Sequence, residues 1–290
     1  MTETPKLETD MRASEFHEWI AREAPPHTPQ DEVDGIMVGD PDTVIKGIAV
    51  TWLPNLHVLK KAAEAGLNFI VAHEPVFYFH PYFYPYGDDR HYAALDLPQK
   101  QATPAAQAKQ RLIDEYGLVV YRLHDGWDQF PHYGMGHALA RRLRWEDRKL
   151  APEYIYGTDP KPLKLLAAEI AAKLGKTGIR YIGDPDLEVQ RISLDWGGPG
   201  AIDIVARAQR NGCQAALTGE CLEWRDVEYA RDSGLALITG GHCATETPGM
   251  EACCDWMTAQ LPELPVSYID SVDPDHFACP LLGGDRHAAL

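Results

Sequence analysis

An internal repeat constrains the fold of this chain more than any other feature of its sequence. Residues 38–50 read VGDPDTVIKGIAV, and residues 182–194, about half the chain later, read IGDPDLEVQRISL. Gly, Asp, Pro and Asp match in a row, and the apolar positions after them match in kind. Asp-Pro is typical of a turn, and a short apolar run after a turn predicts a buried strand. Because such a repeat indicates that one supersecondary unit occurs twice, we expect two copies of one fold.

The two copies continue to match beyond the first strand. Trp52 and Trp196 occupy the same place, and each is followed by a helical stretch that reaches a glycine, Gly66 or Gly212. A glycine there suits the C-terminal cap of a helix. A second strand, a second helix and a third strand follow in both copies. The pattern in each copy therefore predicts the order strand–helix–strand–helix–strand, which favours a parallel sheet flanked by helices. The alternative is chance likeness between two α/β stretches that share a common turn.

Charge and apolar patterning exclude some classes of function. The 290 residues carry a formal net charge of -16, which would repel a nucleic-acid duplex, and no basic face shows in the sequence to offset it. No segment is apolar for long enough to span a membrane, and the N-terminus lacks the apolar run of a signal peptide. The six cysteines form no C-x-x-C pair. We therefore expect a cytoplasmic protein with reduced thiols that binds neither nucleic acid nor a membrane.

Ionisable residues recur where the third strand of each copy ends. The first copy has HDGWD at that point and the second has GHCATE, so that both carry a His-x-x-x-acid pair. The second strand of the first copy adds a further pair in the sequence HEP. Functional groups of α/β sheets gather at the carboxyl ends of strands, so we expect these side chains to converge if the two copies face each other. The residues expected to converge are His73, Glu74, His124, Asp128, His242 and Glu246.

Three imidazoles and three carboxylates in one place would be costly to bury without a cation that balances the negative charge. Two divalent ions would balance three carboxylates and one bridging hydroxide. Mixed His and carboxylate ligands favour zinc, iron, manganese or cobalt over calcium. We predict two such ions per chain, about 3.5–4 Å apart, with the ligands His73, Glu74, Asp128, His242 and Glu246.

A single pair of this kind has a simpler alternative. One histidine near a strand end often caps the strand or lies on the surface, and one H-x-x-x-E can lie on a helix face without a function. The prediction depends on equivalent pairs at equivalent places. The predicted fold is therefore α/β, with two pseudo-symmetric copies of the strand–helix–strand–helix–strand unit that face each other across a metal site. The predicted halves are residues 14–148 and 149–270, with tails at 1–13 and 271–290.

These motifs resemble those of the Nif-three-like dinuclear metal-centre proteins, some of which carry a GTP cyclohydrolase type-two-like label. The resemblance covers about residues 14 to 270 and rests on WLPNLHVLKKAAEAGLNFIVAHEP, HDGWD, TGE and, most specifically, GHCATE. It implies that His73 matches the first His of the family's His-His-Pro, Asp128 the acid of its His-x-x-x-Asp, and His242 and Glu246 its last His-x-x-x-Glu. It also implies a homohexamer of three dimers with metal pairs that face a central cavity.

Two stretches depart from the family's pattern. Glu74 stands where the second His of His-His-Pro is usual, and a harder oxygen ligand changes the metal preference. Trp224 and Arg225 stand where the family often has a His after its TG-acid motif. Glu220, the acid of that motif, is expected near the site, either as a ligand or behind one. The resemblance implies metal binding and leaves the substrate open.

Three functions compete at this point. The first is a metal-dependent, cyclohydrolase-like hydrolase, in which a metal-bridging hydroxide attacks a small molecule and His124 moves protons. The second is a metal-binding or metal-delivery protein without turnover, and the third is a scaffold or partner-binding oligomer whose metal is structural. Open coordination positions would favour the hydrolase, and a shell filled by protein ligands would favour the scaffold.

An aromatic segment follows the second strand of the first copy. Residues 76–92 read VFYFHPYFYPYGDDRHY. Aromatic faces with a cation suit a planar or phosphorylated small molecule, which would make this segment part of a substrate site. Such a segment also suits packing on a neighbouring subunit. We expect it at a subunit contact or at the rim of a cavity in a homo-oligomer.

Overall fold

The structure is a computed structural model that describes residues 10–24, 33–78, 103–128, 130–198 and 202–272. The strands, numbered along the chain, are β1 (Gly35–Val38), β2 (Ile48–Thr51), β3 (Phe69–Ala72), β4 (Val119–Arg122), β5 (Lys149–Ala151), β6 (Ile155–Pro162), β7 (Arg180–Ile182), β8 (Glu188–Leu194), β9 (Ala215–Thr218), β10 (Ala236–Thr239) and β11 (Val266–Tyr268). They form two sheets, in the orders β1-β4-β3-β2-β11 and β5-β6-β8-β9-β10-β7.

Helices connect these strands and cover the sheets. They are α1 (Ala13–Glu23), α2 (Leu56–Glu64), α3 (Pro104–Tyr116), α4 (Asp125–Asp128), α5 (Met135–Arg142), α6 (Leu163–Lys173), α7 (Ile202–Arg210), α8 (Glu228–Asp232) and α9 (His242–Gln260). A 3-10 turn at Glu146–Arg148 and a π-helical turn at Glu223–Val227 complete them. Within the described residues, none of these helices is both long and apolar enough to cross a bilayer.

The predicted repeat is confirmed by the order of the strands. In the first sheet β2, β3 and β4 run parallel, and β1 pairs antiparallel with β4. In the second sheet β8, β9 and β10 run parallel, and β7 pairs antiparallel with β10. Both GDPD turns close in the same way, because the amide of Asp42 donates to Asp40 Oδ1 and that of Asp186 donates to Asp184 Oδ1, each at 2.9 Å. One α/β unit therefore occurs twice.

The two halves of the chain are interleaved, which the repeat did not predict. Strand β11, from the end of the described chain, pairs in parallel with β2 and so belongs to the first sheet. Strand β6 pairs antiparallel with β8 and extends the second sheet. The predicted boundaries of the halves, at residues 148 and 270, stay predictions.

Each half also contributes a helix to the hydrophobic core of the other. Helix α9 follows the second sheet in the chain, yet its Met250, Cys253 and Met257 lie in the core of the first sheet. Helix α5 follows the first sheet, yet its Leu139 and Ala140 lie in the core of the second. Burying one such leucine or methionine stabilises the fold by about 1.5–3 kcal/mol. Because these helices begin at or soon after the two His-x-x-x-acid pairs, the exchange draws both pairs to the boundary between the sheets.

The structure tests two further expectations only in part. Five cysteines are free thiols among the described residues, as expected, and Cys279 lies outside them. In the aromatic segment Phe77 is buried and Tyr78 is 50% exposed. The remainder of that segment, residues 79–92, lies outside the described residues, so its predicted place at a contact or rim stays a prediction.

Candidate metal centre

The structure brings the predicted site residues together at the carboxyl ends of the strands. His73 and Glu74 follow β3 directly, and His124 follows β4 after one residue. The acids of the two His-x-x-x-acid pairs lie in helices, Asp128 at the end of α4 and Glu246 in the second turn of α9. A strand end thus positions each histidine of the first half, and the start of a helix positions the pair of the second half.

His73 lies at the centre of the cluster and is completely buried. Its Nδ1 contacts the carbonyl oxygen of Leu123 at 3.3 Å, which directs Nε2 towards the carboxylates. Nε2 lies 3.7 Å from Asp128 Oδ1 and 3.6 Å from Glu246 Oε2. Within the described part of the chain, this buried nitrogen has no hydrogen-bond partner. Two atoms bound to one zinc ion in tetrahedral geometry lie about 3.4 Å apart, so the spacing fits a cation between these groups.

Two groups of candidate ligand atoms are compact enough to share a metal ion, because the atoms of each group all lie within 4.8 Å of one another. The first contains His73, His124 and Asp128, and the second contains His73, Glu74 and Glu246. His73 belongs to both. The first half of the chain therefore supplies one complete group, whereas the second group also needs the acid of α9.

His242 lies beside the second group and is surrounded by carboxylates. Its Nε2 lies 3.2 Å from Glu74 Oε1 and 3.2 Å from Glu246 Oε2, while Nδ1 lies 3.6 Å from Glu220 Oε2. The sequence left the position of Glu220 open. The structure places it on the exposed side of His242, with 55% of its side chain accessible.

The electrostatics of the cluster favour positive charge. Burial disfavours the charged form of His73, but Glu246, Asp128 and Glu74 outweigh it and raise the pKa of His73 to about 9. Burial acts likewise on His242, yet its neighbouring carboxylates raise its pKa to about 12. Burial also disfavours charge on Glu246, but the two histidines lower its pKa to about 2. Ionised carboxylates in a buried space stabilise any cation among them, whether a proton or a metal.

His124, predicted to move protons, lies at the edge of the cluster. Its ring stacks on that of His73 with the centroids 4.1 Å apart and an interplanar angle of 11°. Its Nδ1 hydrogen-bonds to Asp125 Oδ1 at 2.7 Å and lies 3.7 Å from Asp128 Oδ2. The hydrogen bond from His124 lowers the pKa of Asp125 against the effect of burial. The position suits either a ligand or a proton carrier, and its predicted role stays a prediction.

Asp34 supports this edge of the site, and the sequence prediction missed it. Its Oδ1 accepts hydrogen bonds from the backbone amides of His124 at 2.6 Å and Asp125 at 3.1 Å. Its Oδ2 accepts one from Gly126 at 2.8 Å. A carboxylate that caps the first amides of a helix stabilises it. No signal in the sequence marks Asp34, because it precedes the repeat and pairs with residues far along the chain.

The second half has no counterpart of His73, and the structure shows why. Gly219 follows β9 at the place where His73 follows β3. A Cβ atom at Gly219 would overlap the carbonyl oxygen of Gly197 and approach Thr245 Oγ1 to 2.7 Å. Gly197 itself has φ +61, and a Cβ there would overlap Glu246 Oε1. The strand end of the second half therefore has no room for a side chain, and the candidate ligands of that half lie on α9 instead.

Replacing Gly219 by alanine is expected to destabilise the protein and weaken metal binding together. The added Cβ must displace the backbone at Gly197, and overpacking of this kind costs about 1–3 kcal/mol. Chemical denaturation and metal titration of the variant would measure both effects. Gly157→Ala is the control, because a Cβ at Gly157 meets its nearest neighbour at an ordinary 3.6 Å. Equal stability of the two variants would contradict this account of Gly219.

Comparison with known proteins shows which family the chain is similar to. The model of the family described as Duf34/NIF3 (NGG1p interacting factor 3) matches residues 11–274. A protein of Escherichia coli (strain K12) named GTP cyclohydrolase 1 type 2 homolog is 29% identical over 248 residues, which cover 83% of this chain and 90% of that protein. A protein of the same name from Salmonella typhimurium is 35% identical over 164 residues, 54% of this chain and 63% of that one.

Solved structures share the fold. The structure titled protein ybgI, of unknown function, has a TM-score of 0.72 and 24% identity, and the match covers 91% of this chain and 100% of that one. A Bacillus cereus protein related to NIF3 has a TM-score of 0.74 and 14% identity, with 92% and 99% covered. From the family match over nearly its whole length, we conclude that this chain belongs to the Duf34/NIF3 (NGG1p interacting factor 3) family.

Proposed function

We infer that this protein binds two divalent metal ions and uses them to hydrolyse a small molecule. The observation that carries this inference is the buried Nε2 of His73, which lies between the carboxylates of Asp128 and Glu246 without a hydrogen-bond partner among the described residues. A buried polar atom without a partner is costly, and a metal ion would satisfy it.

The ligand groups assign residues to two positions. His73 and Asp128 would hold one ion, because the free lone pair at His73 Nε2 can bind only one metal, and Glu74 with Glu246 would hold the second. His242, 3.2 Å from both acids of the second group, would complete that position. This mixture of nitrogen and oxygen ligands suits zinc, iron, manganese or cobalt. Such a pair supplies Lewis-acid activation of water and of a carbonyl or phosphoryl oxygen.

Residues of the chain itself would transfer the proton during hydrolysis. Asp125 Oδ1 accepts a hydrogen bond from His124 Nδ1, and such a carboxylate fixes the orientation and tautomer of an imidazole. His124 is half-buried at the edge of the cluster, where a substrate can reach it. We therefore assign His124 to proton transfer with Asp125 as its orienting partner. The name GTP cyclohydrolase 1 type 2 homolog, given to the relatives, supports a hydrolytic reaction of this type.

Assembly as a homohexamer of three dimers is part of this proposal and rests on the family resemblance. Six copies of a chain with a net charge of -16 repel one another, so the contacts would have to be apolar. Metal ions bound in each copy would offset part of that charge.

Elemental analysis of protein purified without added metal tests the binding part of the proposal. We expect two divalent ions per chain, removal of both by a chelator, and their return on titration with zinc or manganese. Each loaded form is then assayed with GTP, a phosphate monoester and a cyclic amide. Turnover that disappears with the metal would support the hydrolase, whereas two tightly held ions without turnover would favour a metal-binding role alone. Failure to bind either metal would refute the proposal.

A further inference from the structure

The repeat places a tryptophan at the same point of each half. Trp52 follows β2 directly, and Trp196 follows β8 after one residue. Both side chains are half-buried, and both pack against the core of the first sheet, although Trp196 belongs to the second half. The two side chains therefore lie near the boundary where the halves meet.

Each indole reaches across that boundary to an acid of the opposite half. Trp52 Nε1 donates a hydrogen bond to Glu246 Oε2 at 2.7 Å. Trp196 Nε1 donates one to Asp128 Oδ1 at 3.3 Å. Glu246 and Asp128 are the acids of the two equivalent His-x-x-x-acid pairs. The exchange is thus reciprocal, since each half supplies the donor for the other half's carboxylate.

The oxygens that accept these bonds are the ones that face His73. Glu246 Oε2 lies 3.6 Å from His73 Nε2, and Asp128 Oδ1 lies 3.7 Å from it. A carboxylate side chain rotates about several single bonds, and a fixed donor removes that freedom. The indole N–H donates without carrying a charge, so it orients the carboxylate and leaves its negative charge for a cation.

Trp52 contacts other candidate ligands as well. Its carbonyl oxygen accepts hydrogen bonds from the backbone amides of His73 at 3.1 Å and Glu74 at 2.9 Å. Its ring lies edge-on to that of His242, with the centroids 5.4 Å apart. A single residue therefore fixes the strand end of the first half relative to the first turns of α9.

We propose that Trp52 and Trp196 are reciprocal positioning residues for the metal pair. Each indole N–H orients the ligand carboxylate of the opposite half and thereby sets the affinity of the position to which that carboxylate belongs. Trp196 acts on the position that contains Asp128, and Trp52 acts on the position that contains Glu246. This inference rests on the proposed function and adds to it two residues that would not touch the metals themselves.

Trp52→Phe and Trp196→Phe test the proposal, because phenylalanine keeps an aromatic ring and removes the donor. The matched control is Trp19→Phe, since Trp19 is also half-buried against the first core and stacks on Trp256 with the centroids 5.4 Å apart. Metal-free protein of each variant is titrated with zinc in a calorimeter to resolve the two binding steps. Parallel titrations with cobalt record visible absorption bands that report the ligand geometry of each step. Thermal unfolding of the metal-free proteins measures any purely structural effect.

We expect each of the two variants to weaken one binding step by about 10–100-fold, the usual effect of losing an outer hydrogen bond to a ligand. The cobalt spectrum of that step should change and that of the other should not. In a Glu246→Ala background Trp52→Phe should add nothing further, whereas Trp196→Phe should still weaken the remaining step. Trp19→Phe should leave both affinities and both spectra unchanged.

Two results would overturn the proposal and leave the proposed function standing. In the first, both variants bind both ions as tightly as Trp19→Phe, with unchanged cobalt spectra. In the second, each variant lowers the unfolding temperature and weakens both steps alike, which would show a structural role only. Wild-type protein that binds neither zinc nor cobalt would refute the proposed function, and this inference with it.

Discussion

Replacement of His73 by asparagine is expected to abolish the metal position to which His73 contributes its one free nitrogen. His73 is the one residue shared by the two groups of candidate ligands found among the described residues, and its Nε2 faces both Asp128 and Glu246. An asparagine amide can still hydrogen-bond near the carbonyl of Leu123 but is a poor ligand for zinc-like ions. The loss of affinity should exceed the roughly 10–100-fold that follows loss of an outer hydrogen bond. Elemental analysis should therefore find no more than one ion per chain in the purified variant.

His57→Asn is the control for this experiment, because His57 is an exposed residue of α2 in the same half of the chain. It should retain both ions. Circular dichroism and denaturation would establish that the His73 variant is folded before its metal content is compared. Two tightly held ions in a folded His73→Asn protein would show that the ligands are drawn from other residues.

Replacement of Glu246 by alanine is expected to remove one position and spare the other. Glu246 belongs to the group that contains Glu74, whereas His73, His124 and Asp128 form a group without it. Glu246 is 3% exposed, so removing its carboxylate would leave a cation bound there without part of its neutralising charge. Metal content should fall from two ions per chain to one, with the fold retained.

Glu251→Ala is the matched control, because Glu251 lies on the same helix and pairs with Arg142 at the surface. Exposed ion pairs of this kind contribute roughly 0–1 kcal/mol, so the control should keep both its stability and its two ions. A Glu246 variant that holds two ions with wild-type affinity would refute the ligand assignment. Loss of both ions would mean that the first position depends on the second.

The sequence predicted the repeated unit because local signals and the order of elements agreed. The GDPD turns, the glycines after the helices and the apolar strands are short-range features, and each occurs twice. The convergence of His73 with the two His-x-x-x-acid pairs followed from one rule, that strand ends of a parallel sheet share an edge. The structure brings these residues within a few ångströms of one another, as the distances from His73 show.

The remaining features depend on contacts between distant parts of the chain. Strands β1 and β7 are too short, at four and three residues, to show a periodic pattern before their turns. The pairing of β11 with β2 has no local signal at all. The equivalence of Trp52 and Trp196 was visible in the sequence, but their hydrogen bonds to the opposite acids depend on how the halves dock. The crowding at Gly219 likewise appears only when Gly197 is placed beside it.

The pairing of β11 with β2 has a consequence for how the protein is made. A ribosome releases β2 early, but its partner at residues 266–268 emerges only after the whole second sheet has been synthesised. Long-range pairing of this kind raises contact order and slows folding. Until then the chain lacks the strand that pairs with β2, although His73, His124 and Asp128 have already left the ribosome. The group of His73, His124 and Asp128 is thus complete in the nascent chain before Glu246 of the second group has been made.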